Sequence, residues 1–373
     1  MKRGFAKNPD AVLHSRNISP TPHSACFGET FRSLRASGTC PPRGMPRSFA
    51  SRRNEQGVAL IIVLLMISII VAVTIQLNRS TRSEVYDAAN LSDGIQMRYV
   101  AESAFYAGEA LLLADKNLDR FTALTQDWAK TDMLALKSEE FFDHGSFNLL
   151  IEDEGGKIPV NLLAGGNEST VRNLMMNLLT GPYFRLPLDR AREIVDAIKD
   201  WIDVDNEITG SGAEGGYYEG LEKPYPAKND SLDCIEELLM VKGVTRELFY
   251  GTGETFGLIQ CLTVFDERAV KVNINTAPKP VLRALSDKMT DDAVERIEED
   301  RRNEKTALSS RTWYTQVHET ADLNIPADLI VVQSGTFRIT AVGLQGRMAQ
   351  RITAVVRRET GQKTAKLLSW KVD

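Results

Sequence analysis

Three stretches of this 373-residue chain predict an α+β protein: a long N-terminal transmembrane and amphipathic helix, then an antiparallel sheet interrupted by a large helical insertion. The first is Val58 to Ile75, VALIIVLLMISIIVAVTI, set in a segment without a charged side chain from Gly57 to Asn78. The second is Phe147 to Ile151 (FNLLI), a short bulky run followed by the turn residues EDEGGK, which predicts a strand ahead of the helical block. The third is the C-terminus, where TFRITAV (336 to 342), RITAVV (351 to 356) and Leu367 to Val372 alternate as strands do.

As a helix, the apolar segment rises about 27 to 30 Å, enough to cross a hydrocarbon core. It is too long for the apolar region of an ordinary secretory signal, and no small-residue cleavage site follows it, so it is expected to stay with the protein. Arg52 and Arg53 immediately before it place the N-terminus in the cytoplasm and everything after about residue 80 outside. Beyond the span, Leu91, Ile95, Tyr99, Phe105, Tyr106, Leu112 and Leu113 recur at helical spacing. They predict that the helix continues to about Ala114, with that side available for a domain core.

The central block reads as helices. Residues 168 to 180 and 187 to 203 have helical patterning, the second opening at Pro187 with Asp189 near its positive end. Ser231 is the expected N-cap of a helix running to Val241, and further helices are expected at 279 to 287, 291 to 303 and 309 to 318.

Charge narrows the function classes. Residues 1 to 57 carry a net +7, and because the whole chain is −5 the remainder carries −12, a field that repels phosphate backbones and argues against nucleic acid as a partner. Only His144 and His318 remain after residue 57, there is no G-x-S-x-G elbow, and GTGETFG (251 to 257) lacks the G-K-[ST] ending of a phosphate loop. No enzyme is expected.

Asp200, Asp203, Asp205, Glu207 and Glu214 surround a loop containing Gly210, Gly212, Gly215 and Gly216. Four of them, Asp203, Asp205, Glu207 and Glu214, match EF-hand ligand spacing, but Ile208 stands where that loop needs glycine, so no EF-hand is expected. Carboxylates crowded on one loop repel each other unless a hard cation joins them, and calcium suits an all-oxygen set better than zinc does. The other reading is a solvated acidic loop. Cys234 and Cys261 lie in the part expected outside the cytoplasm, where oxidation is permitted. A bridge between them would close a loop of about 27 residues, worth roughly 3 to 4 kcal/mol. The alternative is a pair of small buried thiols.

The junction RRNEQG, ending at Gly57 and followed directly by the apolar run, resembles the leader of type IV pilins and of the pseudopilins of type II secretion. The resemblance implies cleavage after Gly57 by a prepilin peptidase and methylation of a new N-terminus at Val58. Family members carry Glu at the position of Ile62, and its absence points to a minor subunit at a filament tip. Met45 would start a leader of ordinary size, MPRSFASRRNEQG, so residues 1 to 44 are expected to be a gene-start artefact.

The ordered set IEDEGGKIPVNLL (151 to 163), DAIKDWIDVDNEITGSGAEGGYY (196 to 218), ELLMVKGVT (237 to 245), VNINTAPKPVL (272 to 282) and TFRITAVG (336 to 343) is similar to the K-type minor pseudopilins, the GspK family. That resemblance implies a leader over 1–57, a transmembrane segment over 58–78, a pilin-like domain in two parts (79–157 and 330–373), and an inserted SAM-like helical domain over 158–329. It implies a single-pass inner-membrane protein with a periplasmic head, at the tip of a pseudopilus that supports export of folded proteins. The implied partners are the I- and J-type minor pseudopilins and the inner-membrane secretion platform. It also implies structural calcium, with Asp200, Asp203, Asp205 and Glu214 carried over as ligands. VNINTAP and ELLMVKGVT also resemble fragments of helix-hairpin-helix domains, which would make the chain a membrane-anchored DNA-uptake protein. Residues 284 to 294 (ALSDKMTDDAV) hold none of the glycines such a hairpin needs.

Overall fold

The structure, a computed structural model, describes residues 55–115, 120–253, 255–265, 269–303, 305–318, 320–323, 325–359 and 364–373. Residues 1–54 lie outside them, and with them the Met45 start, Cys26, Cys40 and most of the leader. The chain divides into two units, Met1–Val73 and Thr74–Asp373.

Within the first unit the described residues are helical and belong to α1 (Glu55–Ala114), which includes Gly57, Val58 and Ile62. From Val58 to Val73 every side chain is exposed. Among the described residues this is the one helix long and apolar enough to cross a membrane.

In the second unit the later turns of α1 bury Met97, Val100, Ala101, Ala104, Phe105 and Leu112. Of the residues expected on the core face, Phe105 and Leu112 are buried as expected, whereas Leu91, Ile95, Tyr99 and Tyr106 are exposed, which corrects that part of the expectation. The reason is the closeness of helix and sheet. At Gly343 a Cβ would stand 2.2 Å from the Met97 carbonyl oxygen, and at Gly108 one would stand 3.1 Å from Leu149 Cδ1. Gly108, Ala101 and Ala104 therefore stand at the closest approach to the sheet, while the Tyr99 and Tyr106 rings turn away from it.

The chain passes through α2 (Asp132–Leu136) into β1 (Ser146–Asp153), and the insertion follows. It comprises β2 (Ile158–Pro159), α3 (Glu168–Thr180), α4 (Leu188–Ile202), α5 (Gly215–Glu219), α6 (Arg246–Tyr250), α7 (Leu258–Cys261), β3 (Leu262–Thr263), β4 (Val272–Asn273), α8 (Lys279–Ala284), α9 (Asp291–Arg301) and β5 (Ile330–Val331). The chain then returns to β6 (Thr336–Gln345), β7 (Met348–Arg358) and β8 (Ala365–Val372). These three strands and β1 form one antiparallel sheet in the order β1-β6-β7-β8. The register pairs Ile151 with Ile339 and Ile339 with Ala354. All three are buried, the inward row of a sheet with one face on a core. That core joins the α1 stripe to Phe147, Leu149, Ile151, Phe337, Ile339 and Val356, while a second, larger core fills the insertion.

Three expected elements are shorter than their patterning suggests. Over Ser231 to Val241 only Ile235–Met240 turns, as a 3-10 helix capped at Cys234 rather than Ser231. Glu237 sets that start: its Oε1 accepts from the amides of Asp233 (2.9 Å) and Cys234 (3.1 Å), and Lys228 Nζ donates to its Oε2 at 2.8 Å. The 309 to 318 helix is one 3-10 turn, Trp313–Gln316, and α8 stops at Ala284. The Cys234–Cys261 pair is also corrected, since both are free thiols, Cys234 exposed and Cys261 buried. Burial pushes the Cys261 thiol up to about 12, the behaviour of a small core residue.

A buried polar seam joins the insertion to the sheet. Asp153, at the end of β1, accepts hydrogen bonds from Ser334 Oγ (2.6 Å), Thr276 Oγ1 (2.6 Å), Asn273 Nδ2 (2.9 Å) and the Gly155 amide (2.8 Å). Asn275 accepts from Trp313 Nε1 at 2.7 Å and donates to the Thr122 and Leu308 carbonyls. The polar side chains of VNINTAP are thus spent inside the protein. Glu154, also buried, accepts from Lys157 (2.8 Å) and Arg338 (2.7 Å). Burial alone would raise its carboxyl; the two cations override that and hold it at about 2.

Candidate metal centre

The acidic loop is built from the end of α4. Asp196 and Asp200, one turn apart on that helix, are both buried and grip the returning chain. Asp196 Oδ2 accepts from the Ser211 amide at 3.0 Å, and Asp200 accepts from the Thr209 amide at 3.0 and 3.2 Å through its two oxygens. The glycines follow from this grip. A Cβ at Gly210, where φ is +52°, would lie 2.4 Å from Asp196 Oδ2, and one at Gly212 would lie 2.1 Å from Asp200 Oδ2. Lys242 Nζ donates to the carbonyls of Ser211 and Gly212, both at 3.1 Å, and Asn229 Nδ2 donates to the Asp205 carbonyl at 2.7 Å. Beneath the loop, Trp201 stacks edge-on to Tyr218 with ring centroids 5.0 Å apart.

Held in this way, one carboxylate oxygen from each of Asp203, Asp205 and Glu214 lies within 4.8 Å of the others. Of the five acids expected from sequence, these three come together. Asp200 is turned to the loop backbone, and Glu207 is exposed, its amide donating to Asp205 Oδ1 at 2.8 Å. Asp196, Lys242 and Asn229 were not anticipated. Only Asp196 had a sequence signal, its spacing of one helical turn from Asp200.

The electrostatics of the three acids are unbalanced. Glu214 is 4% exposed, and both of its carboxylate oxygens, like Asp203 Oδ1, are buried without a hydrogen-bond partner. Burial, followed by Asp200 and Asp203, raises the Glu214 carboxyl to about 7. Burial, followed by Asp205 and Asp200, raises Asp203 to about 6. A buried acid with no donor and two acidic neighbours is costly to ionise. An all-oxygen donor set of this kind matches the preference of a hard divalent cation such as calcium, so the residues present fit that ion.

Residues 156–250, which contain this loop, and residues 272–332 match the sequence profiles described as Type II secretion system (T2SS), protein K. Over both stretches the chain is similar to the type II secretion protein K family. It is similar to the type II secretion system protein K of Aeromonas hydrophila, 29% identical over 248 residues that cover 63% of this chain and 71% of the relative. It is also similar to that of Pectobacterium carotovorum subsp. carotovorum, 28% identical over 251 residues covering 63% and 71%. Its fold resembles a chain in the crystal structure of the GspK-GspI-GspJ complex from the enterotoxigenic Escherichia coli type 2 secretion system, with a TM-score of 0.61. That match covers 77% of this chain and 99% of the other at 17% identity, which supports the protein K fold of sheet and helical domain.

Proposed function

We propose that this protein is a minor pseudopilin that caps a short periplasmic filament, helps start its assembly and so supports export of folded proteins across the outer membrane. The carrying observation is where the insertion sits. Everything from Glu154 to Gly335 is placed between β1 and β6, which are direct neighbours in the sheet. A subunit with so much mass inserted at one sheet connection is poorly suited to the middle of a helical stack and well suited to its end. The exposed apolar start of α1, following Gly57, supports a single inner-membrane anchor exposed by prepilin peptidase and methylated at Val58. With Arg52 and Arg53 on the cytoplasmic side, the head lies in the periplasm.

The solved relative is a complex of GspK with GspI and GspJ. By that likeness, I- and J-type pseudopilins are the partners of this chain, with the secretion platform at the membrane. The exposed stripe of Leu91, Ile95, Tyr99 and Tyr106 offers them an apolar surface on the same helix as the anchor.

Asp203, Asp205 and Glu214 would hold a calcium ion, which when bound supplies the positive charge that three crowded carboxylates lack. Asp200 and Asp196 hold the loop in place from α4, Asn229 fixes the Asp205 backbone, and Glu214 sits at the start of α5. The residues thereby tie α4 to α5 across the loop, a structural role.

Co-expression of the full-length chain with I- and J-type pseudopilins, followed by purification in detergent, tests the reading. The three are expected to elute as one complex. A chain that elutes alone, together with unimpaired secretion in cells whose protein lacks Glu154 to Gly335, would contradict it.

A further inference from the structure

Beside the polar seam, a cleft of about 320 Å³ opens between the insertion and the first residues of β6. Its walls include Glu154, Gly155, Lys271, Arg311, Ser334 and Gly335. The volume falls within the range of ligand clefts, about 300 to 1,000 Å³. Lys271 and Arg311 are exposed, and among the described residues neither makes an ion pair or a side-chain hydrogen bond. The one acid on the walls does not offset them, because Glu154 already faces Lys157 and Arg338. Among the described residues nothing opposes these two cations, on a chain that carries −12 outside its first 57 residues. An acidic group is repelled by most of that surface and drawn to this part of it.

We propose that this cleft binds an acidic peptide segment of a protein partner, with Arg311 and Lys271 receiving a glutamate or aspartate carboxylate. The guanidinium suits a planar carboxylate, and the lysine adds a second, mobile donor. The cleft is larger than a small inorganic anion needs, leaving room for the peptide unit that carries the acid. Gly335 completes the wall: a Cβ there would meet only the Arg358 carbonyl oxygen, at 3.7 Å, so a side chain can be introduced at that position without backbone strain.

The test uses the full-length chain in detergent and a fluorescein-labelled, end-blocked six-residue peptide with two central glutamates, read by fluorescence anisotropy. The glutamate peptide is expected to bind at least tenfold tighter than its glutamine counterpart. The double variant Lys271→Gln/Arg311→Gln is expected to weaken it tenfold or more. Gly335→Leu, which keeps both cations, should weaken it similarly by filling the cleft, with melting of both variants unchanged by circular dichroism. Equal affinity for the two peptides, or full affinity in both variants, would overturn the proposal. So would displacement of the peptide by inorganic phosphate at equal concentration, which would make the cleft a general anion site.

Discussion

Ser334 Oγ donates a 2.6 Å hydrogen bond to Asp153 Oδ2, tying the residue where the chain leaves β1 to one that stands just before β6. The two ends of the insertion are therefore clamped to each other through side chains as well as through the β1–β6 ladder. Asn273 and Thr276, from inside the insertion, bond the same Asp153 oxygen.

Removing the clamp should loosen the joint. Asp153→Ala removes the shared acceptor of Ser334, Thr276 and Asn273 in a buried site, leaving Asn273 only its bonds to the Thr122 carbonyl and Ser334 Oγ, and is expected to cost about 3 kcal/mol, against about 1 kcal/mol for Ser334→Ala. Chemical denaturation of the full-length chain in detergent measures both, and equal, negligible losses would show the seam to be unimportant.

The ion pairs at Glu154 give a second prediction. Because its carboxyl is held at about 2 in the fold against an ordinary 4.5, its contribution is present above pH 4.5 and disappears as pH falls through 2. Arg338→Met leaves a buried carboxylate with Lys157 alone and is expected to cost about 3 kcal/mol at pH 7. Replacing Glu154, Lys157 and Arg338 together by apolar residues should recover most of that loss, as seen in melting curves.

The acidic loop behaves in the opposite sense. Glu214 keeps its proton up to about 7 in the fold but loses it near 4.5 when unfolded, so between those values the folded chain binds more protons. Without calcium, the contribution of Glu214 to stability is therefore greatest below pH 4.5 and declines as pH rises through 7, by roughly 1 to 3 kcal/mol. Added calcium should flatten that decline, and Glu214→Gln should abolish the calcium effect and most of the decline, leaving the smaller part that comes from Asp203, held at about 6. Melting at pH 5 and 8, with calcium or with a chelator, decides it; a calcium-insensitive wild type would mean a solvated loop with no ion.

The stripe on α1 is tested by Ile95→Glu with Tyr99→Glu. Both residues are exposed, so stability should change by less than about 0.5 kcal/mol each. Co-purification with the I- and J-type partners should fall at least tenfold. Undiminished recovery of the complex would place the partner surface elsewhere.

Much of this was legible in the sequence wherever a pattern is local. The period of residues 168 to 180 matches α3, and the alternation of TFRITAV and RITAVV matches the inward rows of β6 and β7. The face of α1 was misread because bulk was taken for burial, whereas helix and sheet approach closely enough to select Ala101, Ala104 and Gly108. The shortened Ser231 helix depends on Lys228 and Glu237 meeting, a tertiary contact that no periodicity announces. In the loop, spacing brought the acids into one group. Asp200 was separated from Asp203, Asp205 and Glu214 only by the backbone amide of Thr209 returning to it.

The central claim is that the apolar helix remains as an anchor after a cut on the cytoplasmic side. N-terminal sequencing and intact mass of the protein from cells with and without prepilin peptidase test it most directly. The account predicts a methylated chain beginning at Val58 in the first case and a chain still carrying Gly57 in the second. A protein that begins beyond residue 75 in either strain would contradict it.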